Sequence, residues 1–537
     1  MAWSRPGGLV EVPGLGQELE LWCYADSFDY ARGETVGLKV HTTAQNFNIR
    51  IVKDGSRPVT VYERHGIPGQ VQTTLPEPYE RGCGWEDTLK FELGRDWEPG
   101  FYLVILTASA DGRAKEHEGF FIVRPDSPSD VDFLLLHTTS TLLAYNDWGG
   151  GNHYRGREDG HQNDVPSPFS SSQRPLARGM LRKPEGAPRN IHTDTPGPGW
   201  IPRHEAYEWA WHNGYSRHHA DAGWATYERP FTVWAEQQGY TVGHTTQSRL
   251  HRNAAELDGY ECVVIVGHDE YWTWEMRDHV DAFVDQGGRL ARFAGNYVWQ
   301  VRLDGNATTQ TCYKMPFADP YIETDIRRVT TMWDWEPIGR PGAETMGLSG
   351  VAGSYIRYGS ASPRASGGFT VYRPEHWALE GTDLYYGDVF GGAPICIAAF
   401  EVDGVDYTFR KGLPYPTGEG GAPTNLEILA MTPAVFGAED RWDGKVPIGA
   451  PVNEVTNLLA EAYAGNPPEY QTGTVRGAAM VATFKRGLGE VFTAGSTEWV
   501  NGLIGRDPFT ERITTNVLDR FMARNKVRVR DIQGRHA

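Results

Sequence analysis

The stretch VVIVGHDEYWTWEMRDHVDAFVDQGGRLARFAGN, residues 263–296, has the pattern of a buried strand, a turn, a helix and a second strand. Its first run is continuously apolar, which is typical of a strand buried on both faces. Met276, Val280, Phe283 and Val284 then recur at helical spacing, and the glycines of QGG end that helix. The stretch predicts a strand–helix–strand unit of a parallel sheet, with HDEYW at the carboxyl end of the first strand.

The chain around this unit shows the same alternation of strands and helices. VDFLLLHTT and TVGHTT have the composition of buried strands. Between them, Phe231, Trp234 and Ala235 lie on one helical face, and a glycine follows as a stop signal. We therefore expect residues 126–537 to form an α/β domain with a parallel sheet, resembling the class I glutamine amidotransferase-like fold.

The first part of the chain, residues 1–125, has a different pattern. Short β-rich runs such as TVGLKVHT, FNIRIVKDG and GFYLVILTAS are separated by glycine, proline and aspartate. This spacing predicts an antiparallel β-sandwich of immunoglobulin-like type. The segment VRPDSPSD has the composition of a hinge and predicts the boundary between the two domains.

Composition limits the classes of partner. A net charge of -18 argues against non-specific binding to nucleic acids or anionic membranes. No apolar run has the length of a membrane span, and the first residues do not resemble a secretory signal. The five cysteines are scattered without a CxxC pair, which predicts no disulfide framework and no structural zinc knuckle. We expect a cytoplasmic protein in the reduced state.

The HDEYW turn has two interpretations. Ligands of open α/β sheets bind at the carboxyl ends of the strands, so the turn is a candidate functional site. Alternatively, Asp269 or Thr273 caps the following helix and Glu270 stabilises its positive end. The second interpretation leaves the phenol of Tyr271 unexplained. The turn contains no Cys or Ser, and Cys262 lies within the predicted strand, so a thiol nucleophile of the amidotransferase kind is not expected.

Several motifs, in one order from about residue 130 to 505, resemble the large subunit of N,N-dimethylformamidase and its relatives. They are HTTSTLLAYNDWGGGNHYRG, SSQRP, GHDEYWTWEMRDHV, HWALEGTDLYYGDVFGG, FEVDGVDY and AGSTEWVNGL. The resemblance implies one iron ion held by two tyrosines and a glutamate. The matching positions are Tyr271, Tyr313 and Glu401, with Tyr321 as the alternative to Tyr313. Phenolates and a carboxylate are hard anionic oxygens, which suit ferric iron better than zinc.

Amide hydrolysis also needs a group that deprotonates water and delivers a proton to the leaving amine. Glu498, in GSTEW, is the expected general base, because an acid after a strand and a Gly-Ser turn points into a cleft; its alternative is an exposed loop acid. His268 would orient Tyr271 or donate to a ligand oxygen, and its alternative is a structural histidine. Asn425 would hold the substrate carbonyl. The family pattern has a histidine two residues before the glutamate, where this chain has Ala399, so the surroundings of the metal are expected to differ.

Two other segments were weighed as sites. The first, HEAYEWAWHNGYSRHHADAGW, would supply a zinc site from His218 or His219 with Asp221, although HExxH is absent; a loop covering the cleft is the alternative. The zinc alternative rests on four histidines, which are His204, His212, His218 and His219. The second, AYNDWGGGNHYRG, lacks a phosphate-binding order of glycines. Its Tyr145, Asn146 and Trp148 either line the site or form a structural turn.

These observations together predict an iron-dependent amidohydrolase. It would cleave the C–N bond of a small N-substituted amide, and from N,N-dimethylformamide it would release formate and dimethylamine. A mononuclear Fe(III) would act as a Lewis acid without a redox step. The resemblance implies a small subunit, and this chain either has a separate small partner or does without one; a homo-oligomer is expected. The alternatives are a zinc hydrolase built on residues 204–221 and a non-catalytic sugar-binding or small-molecule-binding protein.

Overall fold

The computed structural model describes residues 11–14, 19–154, 166–191, 205–356, 367–433 and 477–522. Within these ranges the protein is a mixed α/β protein in which parallel and antiparallel sheets predominate. The strands before residue 125 are β1 Leu21–Ala25, β2 Asp29–Tyr30, β3 Thr35–Thr42, β4 Asn46–Asp54, β5 Val59–Pro68, β6 Leu89–Glu92, β7 Gly100–Ala110 and β8 Arg113–Val123.

These eight strands form two sheets, one with the order β1-β3-β6 and the other with the order β2-β8-β7-β4-β5. Side chains from both sheets share one apolar core. Most neighbours are antiparallel, as predicted, but β2 runs parallel to β8. The other face of β7 is also buried, because Phe101 stacks on Trp224 of the following part with ring centroids 3.9 Å apart. The unbroken apolar run of β7 therefore joins the sandwich to the rest of the protein.

The remaining strands are β9 Phe133–His137, β10 Phe169–Ser171, β11 Val242–Thr246, β12 Cys262–His268, β13 Tyr271–Trp272, β14 Arg289–Gly295, β15 Trp299–Gln300, β16 Arg302–Leu303, β17 Thr309–Thr311, β18 Ser349–Ile356, β19 Phe369–Val371, β20 Val389–Phe390, β21 Phe400–Gly404, β22 Tyr407–Arg410, β23 Leu413–Pro416, β24 Glu427–Pro433, β25 Ala478–Arg486 and β26 Gly489–Ala494. The α-helices are α1 Pro78–Arg81, α2 Thr139–Tyr145, α3 Glu205–Asn213, α4 Arg229–Gln237, α5 Gln247–Arg252, α6 Trp274–Asp285, α7 Ala343–Met346, α8 Trp499–Ile504 and α9 Pro508–Phe521. A π-helix, Trp224–Glu228, precedes α4.

A nine-stranded sheet forms the centre of this part, with the order β11-β9-β12-β14-β26-β25-β24-β19-β20. Its first five strands are parallel and the remaining pairs are antiparallel. The strands expected from VDFLLLHTT, TVGHTT, VVIVGH and RLARFAG are all parallel neighbours in it. None of the described helices combines the length and the apolar character needed to cross a membrane.

One edge of this sheet collects the carboxyl ends of β12, β14 and β26. The register pairs His268 with Gly295, and Arg292 with Thr493. Strand β21, which contains Glu401, pairs with β18 outside the central sheet. It crosses the edge instead, because the Thr497 amide donates to Glu401 O and the Asp403 amide donates to Gly495 O. The HDEYW turn and Glu401 therefore meet at one edge.

Candidate active site

The HDEYW turn does not use its acids to cap the helix. Thr273 caps α6, and its side chain accepts from the amide of Met276. Asp269 instead pairs with the guanidinium of Arg292 through two contacts of 2.6 and 2.8 Å. The capping interpretation is therefore right for Thr273 and wrong for Asp269, and Glu270 is left available for another role.

Arg292 joins the two segments that carry the candidate site. Its Nη2 lies 2.6 Å from Asp269 Oδ1 and 2.6 Å from Asp403 Oδ2, and all three side chains are fully buried. Asp403 also accepts from the backbone amides of Asn296 and Tyr297. Asp269 adjoins Glu270, and Asp403 lies two residues after Glu401. This ion triad therefore fixes the positions of Glu270 and Glu401 relative to each other.

Glu270 is the centre of a buried cluster of phenols. Tyr145 and Tyr154 donate to its carboxylate at 2.9 and 2.8 Å, and Trp299 Nε1 donates at 2.7 Å. Tyr271 donates to the Tyr154 hydroxyl at 2.6 Å. Burial, followed by the charge of Glu270, raises the pKa values of all three phenols well above their usual value. Sequence reasoning missed Tyr154, although it lies in the motif GGGNHYRG.

His268 links this cluster to the second carboxylate. Its Nε2 lies 2.9 Å from Glu401 Oε2 and 3.3 Å from Glu270 Oε2, while its Nδ1 donates to Asp221 O at 2.7 Å. Burial lowers the pKa of His268, but Glu401 and Glu270 outweigh it and raise the pKa well above its usual value. Burial raises the pKa of Glu401. Ala399 stands where the family pattern has a histidine, and here the histidine against Glu401 comes from β12.

The structure does not bring Tyr313 into this cluster. Tyr313 is partly exposed, and its ring lies against Phe169 with centroids 6.0 Å apart. Burial, then Asp319, raises the pKa of its phenol. The next residue, Lys314, enters the cluster instead: its Nζ lies 3.3 Å from the ring centroid of Tyr154. Lys314 has a φ of 61°, in the left-handed region. This backbone conformation affects whether Tyr313 or Lys314 enters the cluster, and the spacing of residues in the sequence does not indicate it.

The alternative ligand Tyr321 and the residue Asn425 also lie elsewhere. Tyr321 is exposed and its ring contacts the guanidinium of Arg302. Asn425 is exposed in the turn before β24, where its side chain donates to Lys485 O at 2.8 Å. Lys485 pairs with Glu490 at the amino end of β26, so Asn425 lies at the edge opposite His268. It could not have been excluded from sequence, because its position depends on the direction of β24.

Glu498 is buried and not an exposed loop acid. It follows β26, and its Oε2 accepts from Arg189 Nε at 2.7 Å with none of its surface exposed. Its Oε1 has no hydrogen-bond partner among the described residues. A fully buried carboxylate with one open oxygen, beside the segment that bonds to Glu401, can accept a proton from a bound molecule.

The histidine segment does not converge on a metal site within the described residues. His218 Nδ1 lies 2.6 Å from Asp221 Oδ2, and His218 Nε2 accepts a hydrogen bond from Arg217 Nε. His219 Nδ1 instead donates to Ser216 O. His212 is exposed, and His204 lies outside the described residues. The alternative, a loop that covers the cleft, fits better, because the backbone carbonyl of Asp221 in this segment accepts a hydrogen bond from His268 Nδ1.

Of the three residues expected to line the site, only Tyr145 contacts it. Asn146 accepts from the amides of Trp148 and Ala177, and Trp148 packs against Trp22 of the sandwich. These two residues form a structural turn. Lys314 and Trp299, which no motif indicated, lie in the cluster.

The phenol and carboxylate oxygens of this cluster are ligands of the type that hard cations prefer. Within the described ranges, no three His, Cys, Asp or Glu side chains are arranged to hold a metal ion, so phenols would have to contribute. Tyr271 and Tyr154 present phenol oxygens 2.6 Å apart, and Glu401 acts electrostatically on both phenols. A trivalent cation would stabilise phenolates whose pKa values are otherwise raised.

A buried cluster of phenols and carboxylates at the carboxyl edge of the parallel strands defines an α/β protein with a candidate site where open α/β sheets bind their ligands. Comparison with family models identifies the family. Residues 52–511 match the family described as N,N-dimethylformamidase beta subunit-like, C-terminal, and the chain belongs to that family. The family is one of hydrolases that act on amide C–N bonds.

Comparison with curated proteins gave no match. Among solved structures, the β-glucuronidase of Parabacteroides merdae is 10% identical over 52% of this chain, with a TM-score of 0.16, and this chain covers 29% of its length. The same enzyme with glycerol in its active site gives 10% identity, the same coverage and a TM-score of 0.15. A family 123 glycoside hydrolase from Clostridium perfringens is 9% identical over 50% of this chain and 68% of its own, with a TM-score of 0.08.

Proposed function

We propose that this protein hydrolyses the C–N bond of a small N-substituted amide with the help of one ferric ion. The observation that carries the proposal is the buried cluster of Tyr271, Tyr154, Glu270 and Glu401 in a chain of the dimethylformamidase-like family. With N,N-dimethylformamide the products would be formate and dimethylamine. A separate small subunit is part of the proposal, because the family description is that of a subunit.

The geometry favours Tyr154 over Tyr313 as the second phenol. Tyr154 lies 2.6 Å from the Tyr271 hydroxyl, whereas Tyr313 faces Phe169. Tyr271, Tyr154 and Glu401 would therefore hold the ion, with Glu270 accepting hydrogen bonds beside them. A bound ferric ion supplies a Lewis acid that polarises the amide carbonyl.

The remaining steps belong to side chains of this chain. Glu498 Oε1 would accept a proton from the attacking water and return it to the nitrogen of the leaving amine. Arg189 fixes the other oxygen of Glu498, which leaves Oε1 as the reactive atom. His268 positions Glu401 through the 2.9 Å contact, and Asp221 O fixes the ring of His268.

Elemental analysis after aerobic purification, together with amine release from a panel of amides, tests the proposal. We expect close to one iron ion per chain and a visible tyrosinate-to-iron charge-transfer band. Tyr271→Phe and Tyr154→Phe should each weaken the band and lower the iron content. Tyr313→Phe is the matched control and should retain both. Stoichiometric zinc, or no metal after reconstitution with ferric iron, would refute the metal, and absence of amine release from every amide would refute the reaction.

A further inference from the structure

A second polar cluster lies beside the phenol cluster, and its groups are incompletely paired. Five of its buried atoms have no hydrogen-bond partner within the described part of the chain. They are Arg189 Nη2, Asn190 Oδ1, His219 Nε2, Tyr227 Oη and Glu498 Oε1. Buried polar atoms in native proteins nearly always have a partner, so a group of exceptions in one place indicates a bound molecule or ordered water.

Four of these five side chains lie close together, whereas the ring of His219 lies against Trp209. Arg189 pairs with Glu498, and its guanidinium lies 5.4 Å from the ring centroid of Tyr227. Asn190 follows Arg189 in the chain, and its Nδ2 donates to Asp221 Oδ1 at 2.8 Å. His219 adjoins this region through Thr226, whose hydroxyl donates to the His219 carbonyl at 3.5 Å.

The cluster also borders the candidate metal ligands. Asp221 contacts Asn190 with its side chain and His268 with its carbonyl. The backbone amide of Thr497, next to Glu498, donates to Glu401 O at 3.1 Å. Tyr227 packs its ring directly over Gly267 at the end of β12. A small molecule bound beside Glu401 would therefore lie next to this cluster.

The unpaired atoms include more acceptors than donors. Arg189 Nη2 is a donor, and Tyr227 Oη can donate or accept. Glu498 Oε1 is an acceptor, and Asn190 Oδ1 is one because the Nδ2 of the same amide faces a carboxylate. His219 Nδ1 faces a carbonyl and so carries the proton, which leaves Nε2 as an acceptor. Burial lowers the pKa of His219 to about 4, which keeps the ring neutral.

A tertiary amide such as N,N-dimethylformamide cannot satisfy these acceptors, because its nitrogen carries no hydrogen. A secondary amide has one N–H and one carbonyl, and it matches both kinds of unpaired atom. We propose that the substrate is an N-monosubstituted amide whose N–H donates to Asn190 Oδ1, while Tyr227 Oη donates to its carbonyl and Glu498 Oε1 remains for proton transfer. This inference rests on the proposed function and names its substrate class.

The test compares three small molecules by ligand-observed NMR on the purified protein: N-methylformamide, N,N-dimethylformamide and methyl formate. Methyl formate has the size of N-methylformamide but lacks the N–H. We expect N-methylformamide to bind at least about ten-fold more tightly than either of the others, since a buried acceptor left unpaired discriminates strongly. If methyl formate binds like N-methylformamide, size alone selects the ligand and the inference is wrong.

Variants separate recognition from folding and from catalysis. Asn190→Leu should reduce the preference for N-methylformamide towards unity, and Tyr227→Phe should weaken all three ligands. Tyr240→Phe, which removes a remote hydroxyl bonded to Asp519, is the matched control and should retain the preference. If Asn190→Leu does not fold, an unchanged preference in Asn190→Ala, which also lacks the acceptor, would still overturn the inference.

Hydrolysis rates then distinguish the two proposals. Equal kcat/KM for N-methylformamide and N,N-dimethylformamide, together with equal binding, would overturn the inference and leave the proposed function standing. Selective binding of N-methylformamide without hydrolysis of any amide would support the recognition site and refute the proposed function.

Discussion

Replacing Arg292 by Met should strongly destabilise the central sheet. Arg292 is fully buried and makes contacts of 2.6 Å with both Asp269 and Asp403. Met retains most of the aliphatic length but removes the charge, so two carboxylates remain buried without a cation. Breaking a buried ion pair by removing one partner typically costs about 3–5 kcal/mol. We expect the loss to fall in the upper half of that range, because one guanidinium serves two acids.

Urea denaturation followed by circular dichroism measures the change, as a shift in midpoint at unchanged slope. Arg327→Met is the matched control, since Arg327 is 67% exposed and pairs with Asp325 at 3.2 Å. It should lose less than about 1 kcal/mol. Adding Asp269→Asn to Arg292→Met should restore part of the loss, because it removes one of the stranded charges.

The pH dependence gives an independent check. Burial raises the pKa of Asp269 even with Arg292 present. A carboxyl with a raised folded-state pKa contributes stability below its unfolded pKa and loses it as the pH rises. The deficit of Arg292→Met should therefore shrink as the pH falls below neutrality. A loss below about 1 kcal/mol at neutral pH, or no recovery with Asp269→Asn, would refute the role assigned to the triad.

Two further substitutions test the surroundings of the site. Burial raises the pKa of Glu228 to about 7, so its contribution to stability is present below its usual pKa and is lost as the pH rises through about 7. Glu228→Gln should accordingly be more stable than the wild type by up to about 3 kcal/mol near pH 8 and similar to it near pH 5, as measured by thermal unfolding; equal stability at both pH values would contradict the assignment. Gly267 has a φ of 82° and an added Cβ would lie 2.2 Å from Tyr227 Cβ, so Gly267→Ala should cost about 1–3 kcal/mol more than Gly112→Ala, where nothing lies within 4 Å. A similar loss of stability in both variants would show that the side chain of Tyr227 moves aside at little cost in free energy.

The local elements around the site could be predicted from the sequence. The buried run of β12, the apolar stripe of α6 and the Thr273 cap are all encoded within a few residues of each other. The position of Tyr271 just after the carboxyl end of β12 also followed from the order of strands and helices. Local periodicity is enough for these features because strands buried on both faces and amphipathic helices have distinct patterns.

The composition of the phenol cluster could not be predicted in the same way. Tyr154 and Lys314 reach Glu270 from segments far away in the chain, and no periodicity relates them. The positive φ of Lys314 decides which of two consecutive side chains enters the cluster, and a lysine gives no sequence signal for that conformation. The sequence indicated a helix-stabilising role for Glu270 because its hydrogen-bond donors Tyr145, Tyr154 and Trp299 are not among its neighbours in the chain.

The buried carboxylates at this edge of the sheet outnumber the cationic side chains that pair with them. The edge buries the carboxylates of Asp269, Glu270, Glu401, Asp403 and Glu498. Arg292 serves two of them and Arg189 serves one, whereas Glu270 and Glu401 share the imidazole of His268 and only Glu270 is also lowered in pKa by the charge of Lys314. Burying charge without a counter-charge is costly, and the phenols of Tyr271 and Tyr154 can only add negative charge by ionising. A site that uses those phenols as phenolates therefore needs a further cation between them and Glu401, which is the position that the proposed ferric ion would fill.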